Sequence, residues 1–123
     1  MACTCSRNGF VPNLWGPGTW NLLHVVAANY PCSPSAADVR RAETFVRSLG
    51  ENLPCASCRS HFSQILGGGR GRGLALSPAV LRSRHAFFKW TVQVHNDVNA
   101  RLGKPTYKDW RAWYLYYDRY RAT

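Results

Sequence analysis

Residues 87–105 read F-F-K-W-T-V-Q-V-H-N-D-V-N-A-R-L-G-K-P, and the kind of fold this chain builds is decided there. Phe88, Thr91, His95, Asn99 and Leu102 recur at intervals of three and four, which lines their side chains along one face of an α-helix. Gly103 and Pro105 end the pattern. Upstream, Ser77-Pro78 has the form of an N-cap followed by a first helical residue, which predicts a long helix from there to Leu102.

The same pattern repeats outward. Thr106 is placed to cap an aromatic-rich helix from Tyr107 to Tyr120. On the other side, a helix beginning near Pro54 carries Cys55, Cys58, Phe62, Ile65 and Leu66 and ends at Gly67-Gly68-Gly69. The run G-G-G-R-G-R-G (67–73) reads as a flexible connector, since it lacks the Gly-Lys-Ser/Thr ending of a phosphate-binding loop. Ser35, with Asp38 in the first turn, opens a helix whose Val39, Ala42, Phe45, Val46 and Leu49 share a face and which closes near Gly50. The first helix is predicted over Pro17–Tyr30, with Trp20, Leu23, His24 and Ala27 together; Pro31 and Pro34 break the chain after it. Residues 1–14 show no periodicity and read as a flexible arm, with Cys3 and Cys5 in a C-x-C. With no alternating strand pattern and no internal repeat, the expected fold is all-α, a helical bundle of four or five helices.

At 123 residues and 13.9 kDa the chain amounts to one domain. A 46% hydrophobic and 13% aromatic content supplies a core and excludes a disordered or collagen-like chain. No run approaches the ~20 apolar residues of a membrane span, and the opening MACTCSRNGFVPNLW lacks the form of a signal peptide. The expectation is a soluble protein with no membrane partner. Lys+Arg 16 against Asp+Glu 6 leave a net charge of +10, spread along the chain without a long basic run. That reads either as a solvated positive surface or as attraction to an anionic cofactor, lipid or nucleic acid. So few acids fit hydrolysis by paired carboxylates poorly.

The chemistry concentrates at P-C-A-S-C-R-S-H-F (54–62). A helix start places Cys55 where exposed N–H groups favour a thiolate, and Arg59 adds positive charge. Two residues between the cysteines allow a disulfide across one turn, the arrangement of a dithiol exchanger with the first cysteine exposed and the second sheltered. Zinc is the alternative, through Cys55, Cys58 and His61, with Cys32, His85 and His95 as isolated further ligands; that reading makes the chain a basic helical nucleic-acid-binding module. A buried structural pair is the third. On the 87–105 helix, His95 and Asn99 on an apolar stripe, with Trp90 and Lys104, read as a surface for a planar, polar, anionic ligand such as a dinucleotide, or as polar groups satisfied by neighbouring helices. Trp20, His24 and Tyr30 add a similar, weaker hint in the first helix.

Three blocks together, W-G-P-G-T-W-N-L-L-H-x-x-A-A-N-Y-P (15–31), P-C-A-S-C-R-S-H-F (54–62) and H-N-D-V-N-A-R-L-G-K-P (95–105), resemble the Erv/ALR flavin-dependent sulfhydryl oxidases in order and spacing. The resemblance covers residues 15–123. It implies a four-helix bundle with a short fifth helix, FAD held non-covalently at one end, a homodimer, and oxidation of protein dithiols with O2 reduced to peroxide. It implies that Cys55 and Cys58 form the active disulfide, Cys55 attacked by the incoming thiolate and Cys58 beside the flavin. It assigns Gly16, Thr19, Trp20, His24, Tyr30, Cys58, His61, Phe62, Trp90, His95, Asn96, Val98, Asn99, Leu102 and Lys104 to the cofactor, and no residue to a metal. Cys3 and Cys5 are the candidates for the relay pair many members carry. The family's C-terminal structural disulfide is absent, since no cysteine follows Cys58, and Cys32 has no obvious partner. The compact form resembles members encoded by large DNA viruses, which implies a host-cytoplasm or virion location, with the mitochondrial intermembrane space as the alternative.

Overall fold

The structure, a computed structural model, describes residues 8–69 and 73–122; Cys3, Cys5 and the centre of the Gly/Arg connector lie outside them. Five helices follow in order: α1 Pro12–Ala28, α2 Ala36–Asn52, α3 Ala56–Leu66, α4 Arg84–Arg101 and α5 Trp110–Asp118. The described residues contain no strand. The fold is the all-α bundle the sequence predicts. α1 packs most extensively on α4 and α2 on α3, while α5 lies across α1 and α4. The core runs between them through Leu23, Ala27, Val46, Ile65, Phe87, Phe88, Val92 and Val94, all essentially without solvent contact.

Local chemistry explains the helix ends. Ser35 caps α2 through a reciprocal box, its hydroxyl accepting from Asp38 N–H at 3.1 Å while Asp38 accepts from Ser35 N–H at 2.8 Å. Three predicted starts move. α1 begins at Pro12, which takes the first-turn position expected for Pro17 and makes the end of the anticipated arm helical; Pro17 falls inside the helix. α4 begins at Arg84 with Ser83 as its cap, its hydroxyl accepting from Ala86 N–H at 3.1 Å. Ser77-Pro78 only opens a turn, beyond which the carbonyl of buried Leu81 accepts from the Tyr30 hydroxyl at 2.8 Å. The turn closes through Val80 N–H on the Ser77 carbonyl at 3.0 Å and Leu81 N–H on the Pro78 carbonyl at 3.2 Å. α5 begins at Trp110, capped by Asp109 and not by Thr106. Asn96 takes both backbone groups of Tyr107, accepting from its N–H at 2.8 Å and donating to its carbonyl at 2.7 Å. That pairing removes Tyr107 from any helix.

The C-terminal end is held without covalent links. Arg121 donates to the Ala28 carbonyl at 2.8 Å and to the Tyr114 hydroxyl at 3.1 Å, and Tyr114 meets Phe88 edge-on.

Candidate active site

The site begins at the first turn of α3. Cys55 is the N-cap itself, in extended conformation, with its sulfur accepting from Cys58 N–H at 3.3 Å. The extended cap and the helical turn after it bring the two Cα atoms to 5.2 Å, and Cys55 and Cys58 are joined in a disulfide. Arg59 donates its N–H to the Cys55 carbonyl at 3.0 Å and its guanidinium to the Leu53 carbonyl at 2.6 Å, fixing a positive charge beside the pair.

Exposure of the pair is the reverse of what the spacing predicts: Cys55 is 7% exposed and Cys58 is half-buried. The cause is the segment ahead of α1. Phe10 N–H donates to the Pro54 carbonyl at 2.7 Å. Gly9, at φ +69°, passes so close that a Cβ there would overlap the Pro54 oxygen. Only glycine allows that approach, and it shelters Cys55.

Both cysteines border a cavity of about 1170 Å³. Gly16, Thr19, Trp20, His24, His61, Phe62, His95, Val98, Asn99, Leu102 and Lys104 line it with them. The remaining residues read from the resemblance lie elsewhere. Tyr30 is buried against Phe87 with its hydroxyl on Leu81. Trp90 is buried and donates from its indole to the Leu74 carbonyl at 2.8 Å. Asn96 is spent on Tyr107. Cys32 is an exposed free thiol and does not line the cavity.

Sequence reasoning missed two parts of the wall. Leu49 and Leu53, at the end of α2, close it beside α3; the apolar periodicity of that helix was the available signal. Tyr107, Trp113, Tyr116 and Tyr117 close it from the C-terminal side. The aromatic-rich character of the segment from Tyr107 to Tyr120 is plain in the sequence, but spacing alone does not say which rings face a cavity. Trp113 lies edge-on to His24 and stacks on Tyr107, and its buried indole N–H has no partner among the described residues.

At the back of the cavity, Trp20 lies flat on His95, with ring centroids 4.0 Å apart and 4° between planes. His95 Nδ1 is 2.9 Å from His24 Nε2, and His24 Nδ1 is 3.0 Å from Thr91 Oγ1. Burial, then the neighbouring His95, lowers the His24 pKa to about 3; burial, then the Lys104 charge, lowers that of His95 to about 4. Burial, with Tyr107 and Tyr116 nearby, raises the Tyr117 hydroxyl to about 12. At neutral pH the histidine wall is uncharged, while Arg101 and Lys104 put positive charge at the α4 end. The zinc alternative finds no support: Cys55 and Cys58 bond to each other, and the described residues bring no three His, Cys, Asp or Glu side chains together as a metal site.

The family model described as Erv1 / Alr matches residues 17–118. Protein 347L of Invertebrate iridescent virus 6 is 34% identical over 94 residues, covering 76% of this chain and 84% of that protein. The mitochondrial FAD-linked sulfhydryl oxidase erv1 of Schizosaccharomyces pombe is 36% identical over 92 residues, 75% of this chain and 47% of its own length. The chain thus spans most of the viral relative and about half of the yeast one. Among solved structures, the FAD binding domain of Erv1 from Saccharomyces cerevisiae superposes with a TM-score of 0.77 at 26% identity, covering 92% of this chain and 99% of that one.

Proposed function

Because this chain belongs to the Erv1/Alr family, we propose that it is a FAD-linked sulfhydryl oxidase that converts protein dithiols into disulfides. The observation that carries this reading is the Cys55–Cys58 disulfide set in the wall of a ring-lined cavity. The cavity fits the dinucleotide. Its volume is large enough for a ligand of that size, rings line it, and Arg101 and Lys104 bring positive charge to it. The buried indole N–H of Trp113 also lacks an acceptor among the described residues. Trp20, His24, His61, Phe62, His95, Val98, Asn99, Leu102 and Lys104 would hold the group, with Gly16 and Thr19 at the start of the wall, and Trp113 and Tyr117 join them. FAD held there would supply a two-electron acceptor for the reduced pair, with O2 as the final oxidant and hydrogen peroxide as its product.

The chain's own part is thiol–disulfide exchange. Once the Gly9–Phe10 segment that covers it is displaced, a substrate thiolate attacks Cys55 Sγ, forming a mixed disulfide and releasing Cys58 as a thiolate. The second substrate thiolate then attacks the substrate sulfur of that mixed disulfide and releases Cys55. The substrate leaves oxidised, and Cys55 and Cys58 hold two more electrons. The α3 N-terminus and Arg59 stabilise the thiolates formed at each step.

Cys3 and Cys5 are proposed as a relay pair on the segment ahead of α1, with the oxidase domain following it. Support comes from chain length: Gly9 and Phe10 lie on Pro54, and the four residues from Cys5 to Gly9 span up to ~14 Å. A homodimer is proposed through α1, whose Leu14, Leu22 and Val25 stand exposed with Val11 at its cap. The proposed location is the host cytoplasm or virion of a large DNA virus, with the mitochondrial intermembrane space as the alternative; no described helix is long and apolar enough to cross a membrane.

The test is oxygen consumption by the purified protein with dithiothreitol, beside its visible spectrum. The expected result is a flavin spectrum with turnover, and a loss of at least a hundredfold in C55S and C58S with flavin retained. A colourless protein that takes up no FAD, or full turnover in C58S, overturns the reading.

A further inference from the structure

Thr91 lies one helical turn before His95 and outside the residues the family resemblance assigns to the cofactor. Its side chain is fully buried, and its hydroxyl oxygen lies 2.7 Å from the Phe88 carbonyl oxygen and 3.0 Å from His24 Nδ1. Two oxygens at that distance repel unless a hydrogen lies between them, and a carbonyl has none to give. The hydroxyl proton therefore points at Phe88, and Thr91 offers His24 only a lone pair. His24 Nδ1 must carry a hydrogen.

The order then propagates. His24 Nε2 and His95 Nδ1 are 2.9 Å apart, a distance that one shared proton accounts for. Both imidazoles are neutral at pH 7, so a His24 protonated at Nδ1 has a bare Nε2. His95 donates into that lone pair from Nδ1, which leaves its own Nε2 bare. Trp20 stacked on the ring holds its plane, and no described residue pairs with His95 Nε2. His95 borders the cavity.

We infer that Thr91 is a positioning residue that sets the tautomers of the His24–His95 pair, so that His95 offers the cavity a hydrogen-bond acceptor and selects a ligand group that donates. That the donor is an amine or hydroxyl of FAD rests on the function proposed above; the tautomer order does not. In T91V the side chain keeps its shape but accepts nothing from His24 Nδ1. The chain of bonds then reverses, and His95 turns an N–H toward the cavity.

Long-range proton–nitrogen correlation spectra of the nitrogen-15-labelled holoprotein read each tautomer directly. Flavin fluorescence recovered on dilution reads FAD dissociation. The expected wild-type result is both histidines protonated at Nδ1. T91V is expected to show both at Nε2, with FAD held roughly tenfold or more weakly. T91S keeps the hydroxyl and is expected to match wild type in both readouts. A wild-type His95 protonated at Nε2, or T91V tautomers identical to wild type, overturns the inference. If T91V does not fold, the wild-type and T91S spectra still decide. A flavin-free preparation with the Nδ1–H order upholds the tautomer assignment and removes FAD as its ligand.

Discussion

His24 and His95 make acid the natural stress on this protein. Burial holds their pKa values at about 3 and about 4, against 6.5 for a free imidazole. Between about pH 4 and 6.5 the unfolded chain binds protons that the folded chain does not, so folding stability rises with pH through that window. The pair's contribution is fully present above about pH 6.5 and is lost as pH falls. Urea titration is expected to give a lower midpoint near pH 5 than near pH 7.5, with a shallower difference in H95Q; equal midpoints in the wild type argue against it. Single residues were read unevenly from sequence. His24 and His95 stood out because polar groups on apolar stripes need partners. Tyr30 and Trp90 carry the same signature of an aromatic ring with one polar atom, yet their partners are the carbonyls of Leu81 and Leu74. Spacing gives the face of a helix and not the identity of the group opposite. The shelter over Cys55 was invisible for the same reason, since it depends on Gly9 meeting Pro54 across the fold.

At the scale of elements, the Asn96 side chain couples α4 to the segment that launches α5. α5 buries no residue completely and leans on α1 and α4 through partly buried rings. N96A leaves two backbone groups of Tyr107 without their partner, an expected destabilisation of about 2 kcal/mol. Hydrogen exchange is expected to rise first across 107–118, with α1 and α4 protected; uniform protection equal to wild type argues against this coupling. The helix order was legible because caps and apolar periodicity are local. Ser35 with Asp38 gave a correct start for α2. Ser77-Pro78 and Thr106 are equally good local signals and mark no helix start; the backbone that follows them meets the side chains of Tyr30 and Asn96, contacts distant in the chain that no local signal shows.

For the whole molecule, α1 serves two sides at once. One face buries Leu23, His24 and Ala27, and the other leaves Leu14, Leu22 and Val25 open. A proposed dimer through that open face predicts a twofold loss of sedimenting mass in L22D with the helical signal unchanged; a dimer that persists argues for another interface. The all-α architecture was plain from sequence, whereas the way five helices enclose one cavity was not, because enclosure needs the packing of elements distant in the chain. One consequence follows from the cysteine-free C-terminal half. α4 and α5 join the bundle through the apolar core, ring contacts, Asn96 and Arg121, so reducing Cys55–Cys58 in each catalytic cycle unties no covalent link to those helices. A reducing thiol pool that opened the active pair would leave the packing of those two helices intact. For α4 and α5, docking does not wait on the disulfide, so this part of the scaffold can assemble before the pair is oxidised.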